Sequence, residues 1–311
     1  MESHAPDSIS PAGQPAQPRM FDEAFLRKLE RLAVLSRRAM AGQLQGERRS
    51  PKRGQSVEFA DFRPYTMGDD IRRIDWNAYA RLERFFIKLF IEEEDLTVHL
   101  LLDASASMHW GTPDKFLYAQ RCAGALGYIT LAGLDRITVT SLGGVNHGIQ
   151  SGYLSPRRGK QQALSLFSFL QNLETGGRST LGPRLRAYAA GAIQPGPLLL
   201  ISDLFDETWE EGLRALAARG FEVTIMHILS PDEIDPELNG DLKLRDLETG
   251  TEVEITADYD LLQRYRAGLE AWRQEIYDFC RNRGMHYVPL VTSIPIEEVL
   301  FAMLRQRGVL R

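Results

Sequence analysis

The sequence has only two cysteines in 311 residues, Cys122 and Cys280, so a disulfide framework is excluded and a reducing, cytoplasmic environment is expected. It also lacks any run of the ~20 uncharged apolar residues that a helix needs to cross a bilayer, so we expect no integral membrane segment. A basic excess is missing too, because the net charge is −5. The expected function is therefore not nucleic-acid binding, which usually depends on a clear excess of Lys and Arg.

Motifs of the common enzyme classes are also missing. No glycine-rich phosphate loop with Lys follows a strand-like run, so ATP hydrolysis by this chain is not expected. The Gly-x-Ser-x-Gly turn of many hydrolases does not occur. The six histidines are scattered without the spacing of a zinc site. The sequence therefore predicts a binding protein rather than an enzyme.

Composition divides the first part of the chain into three segments. Residues 1–20, rich in Pro, Ser, Gln and Ala, are expected to form a disordered tail. Residues 21–53 combine apolar residues at helical spacing with many Lys and Arg, which predicts a basic amphipathic helix and loop. This charge could meet an acidic partner or anionic lipid, but a solvated face is the simpler interpretation. Residues 54–95 hold turn-formers, aromatics and alternating charges, which predicts a small β-rich subdomain.

From residue 96 onwards, apolar runs of strand length alternate with helical patterns. The strand-like runs are residues 96–102, 136–142, 197–202, 222–229 and 286–290. The helical patterns are residues 115–134, 159–173, 209–219, 258–283 and 296–307, with a short helix after Thr180. This alternation predicts an α/β fold with a doubly wound, mostly parallel sheet that helices cover on both faces. Residues 241–255 alternate in polarity about Gly250 and predict a β-hairpin insertion.

Oxygen-bearing side chains lie in three loops of this predicted sheet. Asp103, Ser105 and Ser107 follow the first strand-like run, Thr180 precedes the short helix, and Asp203 follows the third run. Open parallel sheets bind ligands outside the carboxyl ends of their strands, so we expect these side chains to meet. Two carboxylates and three hydroxyls form an all-oxygen ligand set, which suits Mg²⁺ or Mn²⁺. The two negative charges would neutralise the ion and leave one coordination position for the carboxylate of a protein partner.

Two other interpretations of these residues stay open. Ser, Thr and Asp are common at helix N-caps and strand ends, so the loops of a plain scaffold would look similar, although all five residues together favour a metal site. The same carboxylates and metal could instead serve a hydrolase or phosphotransferase. Against catalysis, position 105 is Ser where a phosphotransferase usually has a second Asp, and no plausible general base adjoins the loop.

The pattern Asp103-x-Ser105-x-Ser107, followed by Thr180 and Asp203, resembles the metal-ion-dependent adhesion site of von Willebrand factor A domains. A second resemblance runs from residue 54 to the C-terminus and is carried by several motifs. They are Gly54-x-Ser56-x-Glu58-Phe59, Arg63-x-Tyr65, Gly68-Asp69-Asp70-x-Arg72-x-Ile74-Asp75-Trp76 and Ala80-Arg81. These motifs are similar to those of the bacterial and archaeal family known as domain of unknown function 58.

The two resemblances together imply a von Willebrand factor A-like domain over residues 96–311, whose five oxygen ligands bind Mg²⁺ (or Mn²⁺) and, through the ion, a protein partner. Genes of the family often lie beside genes for MoxR-type AAA+ ATPases. This implies an adaptor that works with such an ATPase and a client protein in the maturation or assembly of complexes. The chain departs from many adhesion-type sites at Leu204, where those sites have Gly, and Asp206 nearby could add an acid or distort the loop.

The motif around Asp69 and Asp70 also has two interpretations. One is a charged contact surface for the ATPase, and the other is a tight turn whose acids cap a helix or pair with nearby arginines. We favour the turn, because alternating charge commonly builds local salt bridges. Trp76 is expected to anchor the small subdomain in the core. His99 and His227 lie within predicted strands and are expected on the sheet.

Overall fold

The structure of the chain is a computed structural model. It describes residues 21, 25–31, 58–67, 69, 71–91, 97–144, 152–177, 180–192 and 194–306. The expected tail, residues 1–20, and most of the expected basic segment, residues 21–53, lie outside the described residues. Within that segment, residues 25–31 are helical (α1), as the apolar spacing predicts, and Leu29 is buried.

Six strands form the central sheet, and five of them are parallel. The strands are β3 (Thr97–Ala104), β4 (Arg136–Gly143), β5 (Tyr153–Arg158), β6 (Pro197–Ser202), β7 (Glu222–Leu229) and β10 (His286–Val291). Their order across the sheet is β10-β7-β6-β3-β4-β5, with β5 antiparallel to β4. The predicted α/β fold with a mostly parallel sheet is therefore confirmed. The sequence does not predict β5, because only Leu154 of its six residues is buried and no apolar run marks it.

Helices cover both faces of this sheet. The helices that follow β3 along the chain are α3 (Lys115–Ala132), α4 (Ala163–Gln171), α5 (Leu181–Gly191), α6 (Trp209–Arg219), α7 (Pro231–Ile234), α8 (Tyr259–Arg281) and α9 (Ile296–Gln306), and all but the short α7 contribute to the two cores. Leu100 and Leu102 of β3 pack with α3, α4 and α9, whereas Leu101 packs on the other face with α5, α6 and α8. Since successive side chains of a strand point to opposite faces, a strand that is buried on both is a continuous apolar run. None of the described helices is long and apolar enough to span a bilayer.

A two-stranded antiparallel sheet and a short helix precede the central sheet. They are β1 (Glu58–Pro64), β2 (Phe86–Ile91) and α2 (Trp76–Leu82). Asp75 caps α2 by accepting a hydrogen bond from the backbone N–H of Asn77 (2.9 Å). Asp69 forms an ion pair with Arg63 (2.7 Å). The interpretation of this motif as a turn with capping and paired acids is therefore confirmed for Asp75 and Asp69, while Asp70 lies outside the described residues.

The expectation that Trp76 is a core anchor is wrong. Its side chain is 61% exposed and lies edge-on to the rings of Tyr79 and Phe85, which stack on each other with centroids 4.4 Å apart. α2 has no buried residue among those described. A helix of seven residues is too short to be stable alone, so its cap and its aromatic contacts hold it. These contacts do not test the division into residues 54–95 and 96–311, which stays a prediction.

The expected β-hairpin forms close to its predicted bounds, residues 241–255. Its strands are β8 (Gly240–Arg245) and β9 (Glu252–Ala257), which pair antiparallel. The chain reverses through Gly250, whose φ of 70° is accessible to glycine because it lacks a Cβ. The hairpin forms a sheet of its own and lies between α7 and α8 along the chain, while its description as an insertion stays a prediction.

A close contact between α5 and the segment before α6 gives a test of the packing. A Cβ added at Gly182, in the first turn of α5, would lie 2.3 Å from the backbone carbonyl oxygen of Thr208. We therefore expect Gly182→Ala to lower the free energy of unfolding by about 1–3 kcal/mol, the usual cost of overpacking. Urea denaturation of the two proteins measures the difference.

Gly191→Ala, at the other end of the same helix, is the matched control, because nothing lies within 4 Å of its added Cβ. Ala favours a helix over Gly, so this variant should be as stable as the wild type or slightly more stable. Equal stability of the Gly182→Ala and Gly191→Ala variants would contradict the tight contact at the start of α5.

Candidate functional site

Two buried carboxylates lie at the ends of two neighbouring strands. Asp103 is the penultimate residue of β3, and Asp203 directly follows β6. β3 and β6 are adjacent, and the chain proceeds from them in opposite directions, to β4 on one side and to β7 on the other. Open α/β sheets bind ligands in the crevice at such a reversal. Asp103 is 2% exposed and Asp203 is 1% exposed, so both carboxylates need compensation for their lost hydration.

Asp103 is held by two hydrogen bonds. Its Oδ1 accepts from the backbone N–H of Ser105 (2.9 Å), and its Oδ2 accepts from the hydroxyl of Ser202 (2.6 Å). The first bond closes the loop after β3, and the second joins this loop to the end of β6. Burial, together with the negative charge of Asp203, raises the pKa of Asp103 to about 6 despite these bonds. A cation beside the two carboxylates would therefore stabilise the charged form of Asp103.

The two serines of this loop bring their hydroxyls together. Ser105 Oγ and Ser107 Oγ lie 3.0 Å apart. Ser105 is buried and Ser107 is half-buried, so the pair leads from the strand end towards the surface. Met108 is buried in the core, and the backbone N–H of Ala106 donates to the carbonyl of Gly177 (3.2 Å). The loop therefore presents two hydroxyl oxygens in a fixed position.

Asp203 contacts a lysine that the sequence does not single out. Its Oδ2 accepts from Lys115 Nζ (2.7 Å), and the same ammonium donates to Glu233 Oε1 (2.5 Å). Lys115 is the first residue of α3 and is fully buried. A cation at the start of a helix is repelled by the positive end of the helix dipole. A Lys at this position therefore weakly indicates that an acidic side chain compensates its charge. The partners themselves lie 88 and 118 residues away, and no local pattern identifies them.

The hydroxyl of Thr180 contacts its own helix. It is exposed, and its Oγ1 accepts from Arg184 Nε (2.9 Å). Within the described residues it makes no hydrogen bond to the other four predicted ligands. The structure therefore joins Asp103, Ser105 and Ser107 by hydrogen bonds and places Asp203 on the neighbouring strand end. A ligand role for Thr180 stays a prediction.

Asp206 connects the loop after β6 to the start of α5. Its Oδ2 accepts from the backbone N–H of Leu181 (2.9 Å), and its Oδ1 accepts from that of Thr208 (2.7 Å). Asp206 therefore caps the helix that follows Thr180. Leu204 has a left-handed backbone with a φ of 57°, a region that residues other than Gly rarely adopt.

The donor set fits a hard divalent cation. The loop after β3 supplies one carboxylate and two hydroxyl oxygens, which are ligands that Mg²⁺ accepts. The carboxylates of Asp103, Asp203 and Glu233 carry three negative charges, and the Lys115 ammonium carries one positive charge. The net charge of −2 would be balanced by a divalent ion. The described residues contain no group of three or more His, Cys, Asp or Glu placed to hold a metal, so an ion here depends on the hydroxyls.

His227 holds the backbone of Asp203. Its Nε2 lies 3.0 Å from the carbonyl oxygen of Asp203, and its Nδ1 lies 2.7 Å from the hydroxyl of Tyr287. A carbonyl only accepts, so Nε2 carries the proton and Nδ1 accepts from Tyr287. Burial lowers the pKa of His227 to about 4, which keeps the ring neutral at pH 7. The expected positions of His99 and His227 on the sheet are confirmed, because β3 and β7 contain them.

The buried, neutral His227 predicts a loss of stability in acid. Its pKa is about 4 in the folded chain against 6.5 for an unperturbed His, so between these values the unfolded chain binds more protons. We therefore expect His227 alone to lower the free energy of unfolding by about 2 kcal/mol between pH 7 and about pH 4.5. Urea denaturation in the presence of a chelator, repeated along this pH range, measures the loss.

Two variants isolate the contribution of this ring. His227→Gln keeps a donor and an acceptor but does not titrate, so it should remove this part of the pH dependence. His286→Gln, at an exposed position of β10, is the matched control and should keep it. A loss of stability as steep in His227→Gln as in the wild type would mean that the ring is not buried in its neutral form.

The chain is similar to uncharacterized proteins along almost its whole length. It is 27% identical to an uncharacterized protein of Mycobacterium tuberculosis over 317 residues, which covers 99% of this chain and 98% of that protein. An uncharacterized protein of Mycobacterium bovis matches to the same extent.

Two solved structures match a smaller part of the chain. The conserved hypothetical protein BatB from Bacteroides thetaiotaomicron is 17% identical with a TM-score of 0.42, over 68% of this chain and 97% of its own. The pilus adhesin SpaC from Lactobacillus rhamnosus GG, in its open conformation, is 12% identical with a TM-score of 0.41, over 70% of this chain and 30% of its own.

The family assignment rests on the central part of the chain. The family described as protein of unknown function DUF58 matches residues 61–275. This segment contains the motifs from Arg63 to Arg81, the loops that carry Asp103 and Asp203, and the buried Lys115. Since the match covers more than half of the 311 residues, the protein belongs to the DUF58 family.

Proposed function

We propose that this protein is a metal-dependent, protein-binding adaptor with a von Willebrand factor A-like fold. In this proposal, it works with a MoxR-type AAA+ ATPase on a client protein during the maturation or assembly of complexes. The observation that carries the proposal is the cluster of oxygen atoms of Asp103, Ser105 and Ser107 at the point where the strand order reverses. Ligands of open α/β sheets bind at such a point, and these atoms suit Mg²⁺ or Mn²⁺.

The arrangement of the sheet supports the von Willebrand factor A-like part of the proposal. Five strands are parallel, the edge strand β5 is antiparallel, and helices cover both faces. The resemblance in sequence puts the metal loop directly after the first strand of the domain. In the central sheet, β3 is the first strand along the chain, and the loop that carries Ser105 and Ser107 follows it.

The metal part of the proposal assigns a role to each predicted ligand. The loop oxygens of Asp103, Ser105 and Ser107 would hold the ion, with Asp203 beside it and Thr180 as a further ligand. When bound, the ion would supply a positive charge that coordinates a carboxylate of the partner. The half-buried position of Ser107 supports this, because it leaves that end of the oxygen cluster accessible to another protein.

Exposed aromatic side chains near both loops support binding of a protein rather than of a small molecule. Trp110, three residues after Ser107, is 48% exposed, and Phe205, two residues after Asp203, is 40% exposed. Aromatic side chains are enriched at protein interfaces, where they contribute much of the binding energy. They would give a partner an apolar contact beside the coordinated carboxylate.

The contacts of the nearby basic groups favour binding over catalysis. Both ring nitrogens of His227 are engaged in hydrogen bonds. Lys115 is paired with two carboxylates, and His109 Nδ1 lies 2.9 Å from Asp114 Oδ2. His227 and Lys115 are therefore poorly placed to accept a proton from a reacting group at the serine hydroxyls. We propose no enzymatic role, and a metal-dependent hydrolase or phosphotransferase is the less supported alternative.

Calorimetric titration of Mg²⁺ and of Mn²⁺ into the full chain tests the metal site. We expect saturable binding by the wild type and an affinity at least about tenfold lower for Asp103→Asn, which removes a negative charge without changing the size of the side chain. Asp260→Asn, at an exposed position in the first turn of α8, is the matched control and should bind like the wild type. A wild type without saturable binding would contradict the metal site and favour the scaffold interpretation of the loops.

A second experiment tests the adaptor role, for which the ATPase partner rests on the family resemblance. We expect the full chain and a MoxR-type ATPase of the same organism to form a complex in Mg²⁺ that is lost with chelator and in Asp103→Asn. Size-exclusion chromatography with light scattering measures the complex. A complex that neither change affects would contradict metal-dependent binding. Hydrolysis or phosphoryl transfer that disappears in Asp103→Asn would support the enzyme alternative instead.

A further inference from the structure

Lys115 is a fully buried cation beside the candidate metal site. Its ammonium donates to Asp203 Oδ2 (2.7 Å) and to Glu233 Oε1 (2.5 Å), and it lies 5.1 Å from the centre of the Phe205 ring. An unpaired ammonium in such a place is very unfavourable, so the two carboxylates hold the charge there. The five predicted metal ligands include one of these two carboxylates, Asp203, and the lysine therefore bears directly on how the site binds an ion.

Both carboxylates around Lys115 are fixed by hydrogen bonds of their own. Glu233 Oε2 accepts from the backbone N–H of Ser230 (2.8 Å), and the hydroxyl of Tyr265 donates to the carbonyl of Glu233 (2.5 Å). Asp203 Oδ1 accepts from the backbone N–H two residues further along the chain (3.2 Å). The bond from Tyr265 holds the main chain at Glu233, and neither carboxylate can turn away from the ammonium without breaking its own bond to a backbone N–H. The positive charge of Lys115 therefore has a fixed position.

We propose that the Lys115 ammonium acts as a built-in cation that occupies one oxygen of Asp203. It thereby weakens the binding of a divalent ion to the loop after β3. The ion binds tightly only when a carboxylate of a partner also coordinates it. This inference rests on the proposed metal site. Like charges repel strongly in a poorly solvated site, and an oxygen bonded to an ammonium is a weaker ligand for a metal. The carboxylate of a partner supplies the negative charge that Lys115 cancels. Ion and partner therefore bind together, and the ion alone binds weakly.

Calorimetric titration of Mn²⁺ alone into full-length variants tests this role of Lys115. Lys115→Met removes the ammonium and frees the Asp203 oxygen, so we expect the ion to bind at least about tenfold more tightly than to the wild type. Glu233→Gln keeps the pair of Lys115 with Asp203 but removes a negative charge, so the ion should bind more weakly. Lys160→Met, which breaks an exposed ion pair with Glu30, is the matched control and should leave the affinity unchanged.

Folding of the variants is checked by near-UV circular dichroism, because Lys115→Met leaves two carboxylates without their cation. If Lys115→Met does not fold, the double variant Lys115→Met with Glu233→Gln decides. The cluster of residues 103, 115, 203 and 233 then has the same net charge as in the wild type. Tighter binding of Mn²⁺ would therefore come from the Asp203 oxygen that Lys115 no longer occupies, and unchanged binding overturns the proposal. If neither folds, Glu233→Gln decides: weaker binding supports the fixed charge network, and unchanged or tighter binding overturns it.

Failure of this inference is distinguishable from failure of the metal site. Binding that is lost in Asp103→Asn but unchanged in Lys115→Met overturns the role of Lys115 and leaves the metal site standing. Binding that appears in Lys115→Met but not in the wild type supports the role of Lys115, and it overturns binding of the ion to the unmodified chain in the absence of a partner. A lack of binding in the wild type and in every folded variant overturns both.

Discussion

The burial of two acidic side chains at adjacent strand ends is the constraint on which the rest of the site depends. Each carboxylate loses its hydration and is compensated in a different way. Asp103 receives two neutral hydrogen bonds, from Ser105 and Ser202, and still has a pKa of about 6. Asp203 receives a full positive charge from Lys115. The carboxylate of Asp203 is therefore already neutralised by a cation, whereas the carboxylate of Asp103 is held by neutral donors and keeps its attraction for an added cation.

The groups that compensate and position these acids come from separate parts of the chain. Lys115 begins α3, Glu233 belongs to α7, and His227 in β7 bonds the backbone of Asp203. Asp206 extends the network to the start of α5. The geometry of the crevice therefore depends on the packing of helices on both faces of the sheet, and the loop after β3 is only its most recognisable part. A loop with the same sequence in a different fold would lack this environment.

Local patterns account for much of the fold but for less of the site. The parallel strands and the hairpin follow from apolar runs, alternation and Gly250, which are encoded within short windows of sequence. Asp103 and Asp203 could be identified because each ends such a run. Lys115 could not, because its partners are brought to it only by the complete tertiary structure. The exposed Trp76 shows a related limit, since ring contacts within a short segment leave no trace in hydrophobic periodicity.

The junction between α5 and the segment before α6 has a mechanical consequence. Two backbone N–H groups of the first turn of α5 donate to this segment, Leu181 to Asp206 (2.9 Å) and Gly182 to the hydroxyl of Thr208 (3.1 Å). Both bonds connect the first turn of α5 to the segment before α6, so a force that pulls these two segments apart is shared by the two bonds. The two bonds must then break nearly together before the segments separate. A force applied at the loop after β6 would therefore be transmitted to α5, and the loop would not separate from the domain one residue at a time.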